Sequence, residues 1–540
     1  MDKLLLLGDE AIAQAAIDAG MSGMYAYPGT PSTEIMEYIQ HNELAKERKI
    51  HRQWSSNEKT AMEAAIGMSY AGKRAMVAMK HVGLNVAADA FVNAAITGVN
   101  GGLVVVSADD PSMHSSQNEQ DNRFYGKFAL IPILEPVDQQ EAYDMVYGAF
   151  EMSEKFNVPV LIRITTRLAH SRAGVARKTI KDELPTSLPE NPTQFVLLPS
   201  IARVQYRKLL EMQPKMLEDA ENSPYNKYED GEDKSLGIIA CGIAYNYLKE
   251  NYAGGKVPYP TLKIGQYPIP KKQVERLMSE CKEVLVLEDG YPFVEEAIKG
   301  LLEKEPVRGR LDGSLPRDGE LNPNLVKKAI AGEEFDVEVP KIVAGRPPAL
   351  CKGCGHIDAY LALNKALEKY GKGRVFADIG CYTLGALEPY NAINTCVDMG
   401  ASITMAKGAA DAGLIPAVAV IGDSTFTHSG MTGLLDAVIE DSNITVVISD
   451  NYTTGMTGGQ DSNALGRLEQ ICEGIGVKPE HIRVFHPTPA NLDEMIKIID
   501  EELEYEGVSV IIPRRQCVQT MKNKELVAKV KELKLNEPKN

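Results

Sequence analysis

Short apolar runs alternate along this chain with longer stretches in which apolar residues return every three or four positions. KLLLLG, GMYAYPG, RAMVAMK, GGLVVVSADD and VPVLIRIT, all before residue 171, are apolar runs of strand length. STEIMEYIQHNELAKE and EKTAMEAAIGMSYAG, between them, carry the helical period. Strands that alternate with helices imply a doubly wound parallel α/β sheet. SLGIIACG, PTLKIGQYP and EVLVLEDG predict a second α/β unit, and AVAVIGD, ITVVISDN and GVSVIIPRR a third. The expected division is 1–172, a linker region over 173–236, a middle domain over 237–345, a last domain over 346–522, and a charged helical tail over 523–540. The polar stretch EDAENSPYNKYEDGEDKS within the linker reads as a solvated loop.

A length of 540 residues suits three such units. No apolar run reaches the roughly 18 residues of a membrane span. The opening MDKLLLLGDEAIAQAAIDAG passes straight from four leucines into Gly-Asp-Glu and a helical pattern, so it reads as a first strand and not a signal peptide. The expected location is the cytoplasm. A net charge of −16 argues against a nucleic-acid binder, and solubility accounts for it. Eight scattered cysteines in a long chain without a secretion signal do not suggest a disulfide scaffold.

Chemistry concentrates in residues 417–451. AVAVIGD, SGMTGLLDAVIED and ITVVISDN read as strand, helix and strand. Such a βαβ unit has a right-handed crossover and leaves both strands ending on one sheet edge. Adjacent strands lie about 5 Å apart, so Asp423 and Asn451 would come within reach of one ion. That edge is where open α/β sheets bind ligands. A carboxylate and an amide oxygen, with the peptide carbonyl of Thr453 as a third donor, suit Mg²⁺. The Gly and hydroxyl residues after Asp423 leave amides free for a pyrophosphate. An Asp after a strand also serves as a plain helix cap. No G-x-x-x-x-G-K-[ST] is present, so a P-loop site is not expected.

Gly422-Asp423, with Asn451 28 positions after the Asp, resembles the thiamine diphosphate signature. That cofactor needs a Glu from another domain. SSNEKTAMEAAIG offers Glu58, in the first turn of a predicted helix, and Glu63 deeper in it; local chemistry does not choose between them. The ordered set YAYPGTPSTEI (25–35), NEKTAMEAAIGMSYAGKR (57–74), KHVGLNVAAD (80–89), CKGCGH (351–356), DIGCYTLG (378–385) and GDSTFTHSG (422–430) resembles the large subunits of indolepyruvate ferredoxin oxidoreductases, within the 2-oxoacid:ferredoxin oxidoreductase family. The resemblance spans about residues 1–520. It implies two thiamine diphosphate-binding folds, pyrimidine-binding first and diphosphate-binding last, around a middle domain like the transketolase C-terminal domain. It selects Glu58 as the aminopyrimidine partner and sets Thr30 before the substrate. It makes Lys80 and His81 candidates for the oxoacid carboxylate. Cys354, Gly355, His356, Gly380, Cys381, Gly422, Asp423, Ser424, Asn451, Met456 and Thr457 are the implied cofactor contacts, with Asp423, Asn451 and Thr453 on the Mg²⁺. Lys352 stands where the family often has Pro. CKGCGH could otherwise be a metal knuckle, but it supplies three ligands where structural zinc wants four.

The implied reaction is decarboxylation of a 2-oxoacid, an arylpyruvate such as indolepyruvate, with the cofactor as electron sink. Two one-electron oxidations and transfer of the acyl group to coenzyme A follow in the family. Here the chain departs from it: the family continues into a module with two [4Fe–4S] clusters, whereas no Cys follows Cys517. Iron–sulfur clusters are therefore not expected in this chain. The implied partners are a small beta subunit, a cluster-bearing protein or ferredoxin, the 2-oxoacid and coenzyme A, in a dimer of heterodimers. A non-oxidative decarboxylase is the alternative. His114 and Arg123 lie in a polar loop that could touch substrate, a neighbouring subunit or only solvent.

Overall fold

The computed structural model describes the chain apart from residues 1–2, 192, 302–305, 333–339, 341, 346–347, 397 and 537–540, and gives only the backbone of 534–536. It divides into two compact units, Met1–Glu338 and Val339–Asn540.

The first unit holds a seven-stranded and a five-stranded sheet. The seven-stranded sheet contains six parallel strands: Gly23–Ala26, His51–Trp54, Ala75–Lys80, Leu103–Asp109, Ile133–Leu134 and Val160–Thr165. Numbered in chain order, they lie as 2-1-3-4-6-5. Strands 3, 4 and 6 are buried almost throughout, which is why they read as unbroken apolar runs. The second unit is built on six parallel strands: Val375–Ala377, Thr395–Cys396, Ala417–Gly422, Ile444–Ser449, Ile482–Phe485 and Val508–Pro513. Their order is again 2-1-3-4-6-5. Both chains of connection reverse direction between strands 1 and 3, and ligands of open sheets bind beside such a reversal.

The expected first and middle domains fuse into one compact unit for two reasons. PTLKIGQYP splits at Gly265: Thr261–Ile264 joins the five-stranded sheet, while Gln266–Tyr267 pairs antiparallel with Ile133–Leu134 on the seven-stranded one. A buried ion network ties the two regions. Arg163 reaches Asp109 at 2.8 Å and Glu135 at 2.5 Å, and Arg123 reaches Asp121 at 2.5 Å and Glu288 at 3.0 Å. Arg123 is thus wholly buried and belongs to no solvated loop, whereas His114 is half exposed and meets Glu320 at 3.4 Å.

Three further segments differ from the sequence reading. Lys3–Leu7 does not enter the large sheet; it pairs antiparallel with Arg172–Ala176 in a two-stranded ribbon, leaving Leu5 exposed. The linker region contains a long helix, Pro199–Glu221, whose buried stripe is Gln205, Leu209, Met216 and Ala220. Pro214 inside it and its polar remaining faces hide the helical period. The presumed solvated loop also contributes Lys227–Glu229, an antiparallel edge strand. The tail does form a helix, Lys524–Asn536, but it is anchored: Leu526 and Val530 bury against Tyr452. Among the described residues no helix is long and apolar enough to cross a membrane.

Candidate cofactor site

Ala417–Gly422 and Ile444–Ser449 are adjacent and parallel, with Gly422 opposite Ser449. Asp423 and Asp450-Asn451 therefore leave the same edge on neighbouring strands, as the βαβ reading requires. Asp423 is buried at 2% exposure, and its Oδ2 meets no hydrogen-bond partner among the described residues. Burial, and secondarily the charge of Asp450, pushes its carboxyl well above the ordinary carboxylate range. Ser462 and backbone amides reach the carboxylate, but burying it with one oxygen unpartnered still makes the charged form costly. A bound cation would remove that cost, so the side chain fits a metal ligand. Asp450 cannot take the same part. Its Oδ2 accepts from Arg514 Nε at 2.7 Å, and Arg514 forks onto both oxygens of Glu469 at 2.7 Å each.

The following turn folds back toward Asp423. Tyr452 adopts a left-handed φ of 66°, Asn451 Oδ1 accepts from the Thr453 amide at 3.0 Å, and Thr453–Thr454 pairs with Gln460–Asp461. The Thr454 hydroxyl donates to Ser424 Oγ at 2.9 Å, joining the two strand ends. Met456 is half exposed on this ribbon, and the Thr457 hydroxyl donates to Gln460 at 2.5 Å. Gly380 and Gly422 both stand against the Tyr382 ring, where an added Cβ would lie 2.3 and 2.7 Å away. That close packing leaves no room for a side chain at Gly422, the last residue of its strand, or at Gly380, three residues past the end of strand 1.

A cleft is lined by Asn451 together with Cys351, Cys354, Cys381 and Cys517. Cys354 caps the helix Gly355–Leu367, and its Sγ lies 3.3 Å from His356 Nδ1. His356 is buried, which lowers its pKa to about 4 and leaves it neutral. Burial pushes the Cys381 thiol up to about 12. Cys517 was missed by the sequence reading because nothing local marks it. Its place comes from the turn after Val508–Pro513, where its amide donates to the Asn451 carbonyl at 3.2 Å. Among the described residues, no three of these sulfurs lie within 4.8 Å of one another.

In the first unit, Thr30, Glu58, Lys80 and His81 gather at the carboxyl ends of the parallel strands. Asn57 caps the helix Glu58–Tyr70, its side chain accepting from the Thr60 amide at 2.8 Å. Glu58 is 5% exposed. Its carboxylate lies against Gly83, where an added Cβ would fall 2.7 Å from both Cγ and Oε1. Glu63 faces solvent and pairs with Lys59, so burial separates the two candidates. Lys80 ends strand 3; burial lowers its pKa to about 8, against the opposing charges of Asp110 and Glu58. Its Nζ donates to the Ser115 carbonyl at 2.5 Å, and Ser115 Oγ donates to the Thr30 carbonyl at 3.3 Å. His81 is fully buried, with Nε2 on the Asn118 carbonyl at 3.1 Å and a pKa lowered to about 4 by burial. It is therefore neutral, and of the two only Lys80 offers charge to a carboxylate. Sequence reasoning missed Asp110, which accepts from the Ser115 amide, Ser116 Oγ and Thr166 Oγ1. The signal was present: SADD ends strand 4 here as SDN ends strand 4 of the second unit.

Two family models match the chain: "Pyruvate flavodoxin/ferredoxin oxidoreductase, thiamine diP-bdg" over residues 14–212, and "Thiamine pyrophosphate enzyme, C-terminal TPP binding domain" over 378–512. The indolepyruvate oxidoreductase subunit IorA of Archaeoglobus fulgidus is 39% identical, covering 96% of this chain and 86% of its own. IorA of Pyrococcus abyssi is likewise 39% identical over 96% and 86%. The 2-oxoglutarate synthase subunit KorA of Methanothermobacter thermautotrophicus matches at 30% over 36% of this chain and 53% of its own. Among solved structures, a 2-oxoglutarate:ferredoxin oxidoreductase from Magnetococcus marinus shares the fold, with a TM-score of 0.50 at 18% identity over 61% of this chain and 65% of that one.

Proposed function

This chain belongs to the family of indolepyruvate oxidoreductase IorA subunits, and on that premise we propose that it is the large subunit of a thiamine diphosphate-dependent 2-oxoacid:ferredoxin oxidoreductase. Its substrates would be arylpyruvates such as indolepyruvate, its products acyl-CoA and CO₂, and its electrons would pass to a ferredoxin-type acceptor. The observation that carries the proposal is the buried, unpartnered Asp423 oxygen one strand away from Asn451, at a sheet reversal. Asp423, the Asn451 side chain and the Thr453 carbonyl would hold Mg²⁺ on the diphosphate, with Gly422, Ser424, Met456 and Thr457 around it. Cys354, Gly355, His356, Gly380 and Cys381 would line the cofactor. The cofactor, when bound, supplies the electron sink for decarboxylation.

The remaining work falls to this chain's own side chains. Glu58, buried beside Gly83, would exchange a proton with the aminopyrimidine. Lys80, charged below pH of about 8, would take the oxoacid carboxylate, with Thr30 beside it. His81 would hold Lys80 in register through its Asn118 bond. We divide the chain into a pyrimidine-binding domain (1–172), a middle domain (237–345) and a diphosphate-binding domain (346–522). We place it in the cytoplasm in a dimer of heterodimers with a small beta subunit.

The cleft changes the reading of how electrons leave. Four cysteines from three segments, two of them in CKGCGH, would supply the Cys₄ donor set of an iron–sulfur cluster. Their spread exceeds what one zinc ion spans at about 2.3 Å per bond, so a [4Fe–4S] cluster fits better than zinc. We therefore replace the expectation of a cluster-free chain with one cluster held by Cys351, Cys354, Cys381 and Cys517. Iron and acid-labile sulfide in anaerobically purified protein, lost in Cys517→Ser, would support it; none in the wild type would return the clusters to a partner.

The function is tested with the chain purified alone and with its natural partner, then fed indolepyruvate or phenylpyruvate, coenzyme A and viologen. Acyl-CoA with reduced viologen is the expected result. Aldehyde alone would favour the non-oxidative decarboxylase and reject the oxidoreductase.

A further inference from the structure

We propose that Asp9, Glu34 and His170 form a second metal site, for a divalent first-row transition ion, independent of the cofactor cleft. The three residues come from separate places: the first turn of the helix Gly8–Asp18, the first turn of Thr33–His41, and the last position of Thr166–His170. The first and third of these helices touch closely, since an added Cβ on Gly8 would fall 2.2 Å from the Leu168 carbonyl oxygen. One ligand atom from each of the three residues lies within 4.8 Å of the other two, and Glu34 Oε2 is 3.5 Å from His170 Nε2. Two ligands on one ion, at about 2.1 Å each, stand up to about 4.2 Å apart, so only a small contraction is needed.

A second observation points to a ligand. Asp9 is 0% exposed, and neither of its carboxylate oxygens has a hydrogen-bond partner among the described residues. Glu34 Oε2 is buried as well and faces His170 Nε2 at 3.5 Å. A proton shared between the two acids would satisfy one oxygen of Asp9 and leave the other bare. A divalent ion would answer both and would also use His170. Glu34 and His170 keep about a third of their side-chain surface exposed, which gives the ion a route in. Two carboxylates and one imidazole, with positions left for water, suit Mn²⁺, Fe²⁺, Co²⁺ or Zn²⁺ better than Mg²⁺.

The test uses the full chain, stripped of thiamine diphosphate and divalent ions. Mn²⁺ is titrated in, with free Mn²⁺ read by electron paramagnetic resonance; thiolates are poor ligands for Mn²⁺, so the cysteine cleft does not compete. The expected result is one bound equivalent that survives in Asp423→Asn. In Glu34→Gln and in His170→Gln it should weaken by about tenfold or more, since losing a ligand costs at least what losing its supporting hydrogen bond does. His170 is on the surface, so its replacement leaves the fold intact. Binding that disappears in Asp423→Asn, or that is unchanged in Glu34→Gln and His170→Gln, would overturn the site. Asp9→Asn supplies the other reading: if it melts no lower than wild type and Mn²⁺ fails to raise the wild-type midpoint, the acids share a proton and hold no metal.

Discussion

Gly83→Ala isolates the proposed role of Glu58 from the stability of the fold. Gly83 sits in the helix His81–Thr97 with a helical backbone, so alanine should favour that helix by about 1 kcal/mol. Its Cβ, however, would lie 2.7 Å from Glu58 Cγ and Oε1 and 3.0 Å from Cδ. Ordinary contact distances are nearer 3.5–4.0 Å. The Glu58 carboxylate must therefore move by about 1 Å, which a side-chain end does at little energetic cost. A displacement of that size in a reacting group costs about a hundredfold in rate, or about 2.7 kcal/mol of barrier. The expected outcome is a melting temperature at or above wild type with turnover down about a hundredfold. Hydrogen–deuterium exchange at the thiazolium carbon of bound thiamine diphosphate reads the proton transfer without needing the partner. Gly67→Ala is the control: it lies in the Glu58 helix and its added Cβ meets nothing within 4 Å, so stability should rise with no loss of exchange rate. Wild-type exchange in Gly83→Ala would refute the assignment of Glu58.

Two further outcomes follow from charge. Burial lowers the Lys80 pKa to about 8, so KM for the oxoacid should rise as pH passes about 8, and Lys80→Arg, which stays charged, should remove that limb. A KM flat from pH 7 to about 10 would take Lys80 out of carboxylate binding. Asp423 has a folded pKa raised above its unfolded value, so the folded apo chain binds the extra proton. Its contribution to stability is present below the ordinary carboxylate pKa and is lost as pH rises above it. Asp423→Asn should therefore flatten the fall in apo stability above pH of about 4, while abolishing the stabilisation by Mg²⁺ with thiamine diphosphate; denaturant melts at several pH values with and without the pair would show it.

The sequence by itself determined what is local or repeats along the chain. Unbroken apolar runs set the parallel strands, because a strand covered on both faces has no polar side to alternate. The βαβ rule then put Asp423 and Asn451 on one edge before any coordinates, since the crossover fixes both direction and hand. Tertiary structure decided everything that depended on which distant segments meet. Glu58 and Glu63 share a helix and a chemistry; only the helix beginning at His81, with Gly83 as a bare spot, buries one and leaves the other to Lys59. The helix through Pro214 was hidden because its burial needs just one narrow stripe. Lys3–Leu7 looked like a core strand, yet both edges of the sheet are taken by His51–Trp54 and Gln266–Tyr267. Cys351, Cys354, Cys381 and Cys517 are spread over the whole second unit, and their common cleft exists only because three different strand ends and a helix start close on the same reversal of the sheet. Periodicity reports the environment of a residue along its own element; it carries no record of which other element supplies that environment.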